Sequence, residues 1–108
     1  MRVRYHPEFP LDINRQAARY DEISARLGQR FRTEVNDAIA AIIAGPTAAG
    51  HFVHTGSKII REVRGKNLPS FPCFVLYGLE PDRLVFGSLI PSASDPLSWL
   101  ERFPPKAQ

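Results

Sequence analysis

His51 and His54 stand three residues apart, Cys73 is the single thiol, and Lys58, Arg61, Arg64 and Lys66 crowd the segment 58–66 around Glu62. These are the residues whose types and spacing invite chemistry. Two histidines begin a metal site only when a third His, Cys or carboxylate follows at ligand spacing, and none does near this pair, so no metal is expected. Cys73 lies in Phe71-Pro72-Cys73-Phe74-Val75, where a thiol behaves as a small buried hydrophobe. With no second cysteine, neither a disulfide within the chain nor a cysteine zinc site can form. The glycines are dispersed, no GxGxxG or GxxxxGK[ST] run occurs, and no nucleotide or other cofactor is expected.

The basic strip is what remains. Its four cations, set against Glu62, account for the whole net charge of +3, and the rest of the chain is balanced. Such a strip suits an acidic partner or a phosphate, and equally a solvated strand face. Arg61 shares its side of the strand with Ile59 and Val63, an odd place for a solvated charge, which makes it the best single candidate for a partnered arginine. Metal-free RNA cleavage needs a base for the ribose 2′-hydroxyl, an acid for the leaving oxygen and cations around the phosphate. Arg61, Arg64 and Lys66 supply cations. Base and acid are harder to place, because Tyr5 and Tyr77 fall at inward strand positions and His6 at a strand end, so a ribonuclease is disfavoured.

The elements that must position these residues are punctuated by ten prolines in 108 residues. None occurs from Leu11 to Gly45, where apolar side chains recur at spacings of three and four: Phe9, Ile13, Ala17, Tyr20, Ile23 and Leu27, then Phe31, Val35, Ala38, Ile39 and Ile42. This predicts two amphipathic helices forming an antiparallel hairpin, with the joint at Leu27-Gly28 and the end at Gly45-Pro46. Arg2 to His6 alternates as a half-buried strand, and Thr47 to His51 reads as a loop. Lys58–Arg64, Cys73–Leu79 and Arg83–Ile90 read as three further strands, the last two joined through Glu80-Pro81-Asp82 as a tight hairpin and apolar on both faces. Asp95 and Pro96 start a short last helix with Leu97, Trp99, Leu100 and Phe103, stopped by Pro104-Pro105. The expected architecture is a single α+β domain over 1–108, in two layers ordered β-α-α-β-β-β-α, with the helical hairpin packed on a small antiparallel sheet. With 44% apolar residues the chain can bury a core, and no window approaches the ~18 apolar residues of a membrane span. Met1 to Tyr5 alternates charge where a secretory signal would run into an apolar stretch, so a cytoplasmic location is expected.

Arg26-Leu27-Gly28-Gln29-Arg30-Phe31, Arg61-Glu62-Val63-Arg64, Phe71-Pro72-Cys73-Phe74-Val75-Leu76-Tyr77 and Asp95-Pro96-Leu97-Ser98-Trp99-Leu100-Glu101-Arg102 occur in this order. Over nearly the whole chain this resembles the ParE branch of the RelE/ParE toxin superfamily, through the pieces LGxRF, FPxxxxY and DPxxWxxR. The resemblance implies the toxin of a type II toxin–antitoxin module, neutralised by a cognate antitoxin. ParE-like toxins are associated with poisoning DNA gyrase, and the RelE branch with cutting ribosome-bound mRNA. It further implies an inhibitor more than an enzyme, with Arg61, Arg64, Lys66, Trp99 and Arg102 as target or partner contacts. The apolar residues Ile13, Tyr20 and Ile23 would line a groove completed by the antitoxin.

The chain departs from the family pattern in carrying Pro91-Ser92-Ala93-Ser94 before Asp95-Pro96, where many relatives have a histidine and an arginine. Cys73 replaces the usual tyrosine, and Gly65 to Ser70 is longer than the common spacing. Tyr5, Tyr20 and Tyr77 are the only tyrosines, so the RelE-type basic and tyrosine set at the end of the chain is missing, which favours the non-nuclease branch. A RelE-type endoribonuclease and a non-toxic remnant of the family stay open as alternatives.

Overall fold

The computed structural model describes residues 2–53 and 62–94. In chain order these form β1 (Arg2–Tyr5), α1 (Phe9–Ile23), α2 (Ala25–Ala44), the short α3 (Pro46–Ala49), β2 (His51–Val53), β3 (Glu62–Asn67), β4 (Cys73–Leu79) and β5 (Arg83–Pro91). The strands make one sheet in the order β1-β5-β4-β3-β2, and the helical hairpin lies on one face of it. The expected last helix, with Trp99 and Arg102, lies outside the described residues, as does the part of the second expected strand that holds Lys58 and Arg61.

The α+β class and the layering are those the periodicities imply, with two differences in the sheet. First, β1 runs parallel to β5, pairing Val3 with Leu84 and Tyr5 with Phe86, so the sheet is mixed and not purely antiparallel. The alternation of Arg2 to His6 marks a strand without fixing its direction, since a period of two reads the same both ways. Second, the segment expected as a loop contains a helical turn and then β2, whose three residues pair with Val63 to Gly65. Three residues are too few to carry a period.

Helix boundaries follow hydrogen-bonding groups more than glycines. The joint of the hairpin is at Ser24, not at Leu27-Gly28. Ser24 is extended, its N–H donates to the Tyr20 carbonyl at 3.0 Å to end α1, and its Oγ accepts from the Leu27 N–H at 3.0 Å to start α2. Gly28 has a different task inside α2. The Asp21 carboxylate and the Arg32 guanidinium form a two-pronged pair of 2.8 and 2.7 Å across the hairpin, and a methyl group at residue 28 would run into that carboxylate. Gly45 ends α2 as expected, donating to the Ala41 carbonyl.

The core follows from the alternation of β4 and β5, both central in the sheet. Cys73, Val75, Tyr77, Leu84, Phe86 and Leu89 face the hairpin and meet Phe9, Ala17, Phe31, Val35 and Ile42. Each fully buried side chain of this size contributes about 1.5–3 kcal/mol. Val63, Phe74, Leu76, Val85 and Ile90 form a second cluster on the opposite face. Phe86 and Leu89 are three apart yet share a face, because the pairing jumps from Leu76 with Ser88 to Tyr77 with Phe86 and leaves Gly87 as the extra residue of a bulge. Tyr5 departs from its expected inward position: it is half-exposed at the sheet edge while stacking on Phe86 at 5.1 Å.

Alanine is about 1 kcal/mol better than glycine in a helix interior. Gly28→Ala therefore raises the Tm less in the intact chain, where its methyl displaces Asp21 from Arg32, than in an Asp21→Ala background. An equal rise of the thermal midpoint in both backgrounds would contradict the crowded crossing.

Candidate functional site

The two described members of the basic strip, Arg64 and Lys66, lie on the hairpin-facing side of β3, opposite Tyr77 and Val75 of β4. Neither points freely to solvent. Arg64 donates through Nη2 to the carbonyls of Thr47 at 2.7 Å and Gly50 at 2.6 Å, and through Nη1 to Glu62 Oε2 at 2.8 Å. Its side chain is 15% exposed, and its buried Nε has no hydrogen-bond partner. Lys66 Nζ reaches the Ala49 carbonyl at 3.4 Å. The carbonyls at the end of a helix lack intrahelical donors, and here two cations supply them for α3. The buried Tyr77 hydroxyl donates to the Pro46 carbonyl at 2.5 Å, with Gly50 packed so closely that a Cβ there would meet that hydroxyl. Burial pushes the Tyr77 phenol above its ordinary range, with Arg64 acting in the opposite sense. The arrangement holds an anion poorly, because the cations are already occupied by oxygens of the chain.

The residues of LGxRF and FPxxxxY meet each other. Phe31 lies tilted against Tyr20 and edge-to-face with Phe71, with ring centres 5.1 Å apart in both pairs, and Tyr20 meets the edge of Phe71 at 4.6 Å. Arg30 donates to Ser70 Oγ at 2.9 Å, and the Ser70 N–H donates to the Glu34 carboxylate at 3.0 Å. The segment before β4 is thus tied to α2 twice at Ser70 and again by the Phe71 ring. Cys73 sits beneath this junction beside the Tyr20 hydroxyl, and burial pushes its thiol up, against the pull of Tyr20 and Arg19. It is a packed thiol, as its apolar setting implies.

Of the expected groove residues, Ile13 and Tyr20 are half-buried against the chain's own core, whereas Ile23 is 72% exposed at the end of α1. Arg61, Trp99 and Arg102 lie outside the described residues. His51 is on exposed β2, paired with Gly65. Among the described residues no group of three His, Cys, Asp or Glu side chains is placed to hold a metal ion, and no helix is long and apolar enough to cross a membrane.

A site the sequence reading passed over lies between α1 and the end of β5. Asp12, 2% exposed, accepts the Leu89 N–H at 3.1 Å. Arg15 and Arg19 border the cavity of about 200 Å³ beside it. The signal was present, since Asp12 is three residues after Phe9 and five before Ala17, on the apolar stripe of its helix. A carboxylate at such a position is buried only where its oxygens find donors.

No family model matches the chain, and no curated protein matches it.

Among the described residues, three carboxylates are held below their usual range. Hydrogen bonds from Arg32 act on Asp21 and those from Arg2 on Asp82, while for Glu34 burial works upward and is outweighed by Ser70 and Arg30. A depressed carboxylate stabilises the fold above its unfolded pKa of about 4, and that contribution is lost as pH falls through the folded value. The Tm therefore falls steadily below about pH 4, and Glu34→Gln flattens part of that fall. A Tm as high at pH 3 as at pH 6 in thermal melts would contradict these pairings.

Proposed function

We propose that this chain is a ParE-like toxin of a type II toxin–antitoxin module, neutralised by a cognate antitoxin and acting on DNA gyrase in the cytoplasm. The observation that carries the reading is the meeting of Phe31, from LGxRF, with Phe71, from FPxxxxY, across forty residues of sequence. Two weak motifs that pack on one another, in a chain ordered strand, helical hairpin, then antiparallel strands, support a shared architecture better than either motif alone. The basic residues of β3 bear on the mechanism. Arg64, Lys66 and Tyr77 spend their polar groups on the carbonyls of residues 46–50. That leaves them poorly disposed to surround a phosphate, and supports an inhibitor acting by contact over a RelE-type ribonuclease.

Expressed alone, the chain arrests growth, and coexpression of the product of the adjacent upstream reading frame relieves the arrest. In vitro, the purified chain blocks supercoiling by gyrase. Unimpaired growth at high expression contradicts the toxin reading. New mRNA 5′ ends within translated codons after induction, with supercoiling untouched, would move the chain to the nuclease branch.

A further inference from the structure

β1 covers β5 only from Arg83 to Phe86, and beyond that point β5 runs on to Pro91 beside α1. An open strand edge ordinarily invites an added strand. Here Asp12 already takes the Leu89 N–H, so the middle of that edge is closed by the chain itself. Among the described residues, what stays open is the cavity of about 200 Å³ over it, lined by Asp12, Arg15, Gln16 and Arg19 of α1 and by Leu89, Pro91 and Ser94. Arg15 and Arg19 are one helical turn apart and so project side by side. Arg15 is 59% exposed and stands 3.6 Å from Asp12, and among the described residues no carboxylate forms an ion pair with Arg19.

We propose that this cavity receives an aspartate or glutamate side chain of a partner polypeptide, its carboxylate held between Arg15 and Arg19 and its methylene stem against Leu89 and Pro91. Arginine forks match a planar carboxylate, which is the geometry a paired guanidinium site favours. The extent of the patch selects a peptide carboxylate over a nucleic-acid backbone. α1 continues past Arg19 into Asp21 and Glu22, so the positive patch spans two residues where a nucleic-acid footprint is a longer stripe. Naming the partner as the neutralising antitoxin rests on the toxin reading; the preference of the cavity for a carboxylate does not.

The test is a titration of the isotope-labelled chain followed by NMR at the Leu89 amide and the Arg15 and Arg19 side-chain signals. The probes are a capped ten-residue peptide of alternating glutamate and leucine, the same peptide with glutamine for glutamate, and a five-nucleotide single-stranded RNA. The glutamate peptide gives saturable shifts at all three positions. Affinity falls at least tenfold with the glutamine peptide, and likewise in the Arg15→Gln/Arg19→Gln variant, compared with the parent at a temperature where both are folded, since loss of Arg15 takes a cation from beside the buried Asp12. Equal binding by the variant or by the glutamine peptide overturns the proposal, as does no binding of the glutamate peptide. RNA binding tighter than the glutamate peptide overturns it too and assigns the arginines to phosphate. A chain that leaves growth unimpaired yet binds the glutamate peptide through these arginines upholds the cavity and removes the toxin reading. A toxic chain whose peptide binding ignores the arginines does the reverse.

Discussion

A carboxylate on the apolar face of a helix is costly to bury unless its oxygens are bonded, and Asp12 meets that requirement at the amide of Leu89, 77 residues further along the chain. The bond joins the first helix to the last described strand of the chain. It stands in for the strand partner that β5 loses where β1 stops, so α1 lies across the outer half of β5. The bulge at Gly87 makes this possible, because without the extra residue Leu89 would face away from the hairpin with Ser88 in its place. With α1 fixed there, α2 follows through the Ser24 joint and the Asp21–Arg32 pair, and Phe31 is carried onto Tyr20 and Phe71. Removing the acceptor would leave a buried N–H unpaired, a loss of about 1–3 kcal/mol.

Much of this was legible in the residues. Long runs with a clear period, such as Phe31 to Ile42 and the doubly apolar β4 and β5, stand where their patterns place them, because burial of a whole face outweighs local preference. Failures came where two local signals competed or where a segment was too short for a period. At the hairpin joint a glycine and a serine four residues apart both mark a helix end, and the serine prevailed because its side chain satisfies an N–H that glycine cannot. β2 has three residues, and nothing in Arg2 to His6 specifies a parallel pairing. The setting of Arg64 was hidden for another reason. Besides Glu62, its partners are the main-chain carbonyls of Thr47 and Gly50, in α3 and at its C-terminal cap, which leave no trace in side-chain types.

This setting reassigns the meaning of the basic strip. A cluster of positive charge adjoining a recognisable motif invites an interface, yet Arg64 and Lys66 anchor α3 to the sheet, and the FPxxxxY tyrosine does the same from β4. The motif residues within the described chain are parts of the architecture. The surface beside Asp12 is a place where exposed charge, apolar side chains and a cavity coincide. The same junction that organises the fold also shapes that cavity.

The central claim is that the Asp12–Leu89 bond organises both the fold and that surface. Native-state hydrogen exchange tests it most directly, residue by residue, in the parent chain and in Asp12→Ala. In the parent the account predicts a Leu89 amide among the slowest to exchange despite its position on an edge that β1 does not cover. In the variant its exchange accelerates more than tenfold while the amides of β4 keep their protection relative to the global stability of that variant. A Leu89 amide that exchanges equally slowly in both proteins would contradict the account.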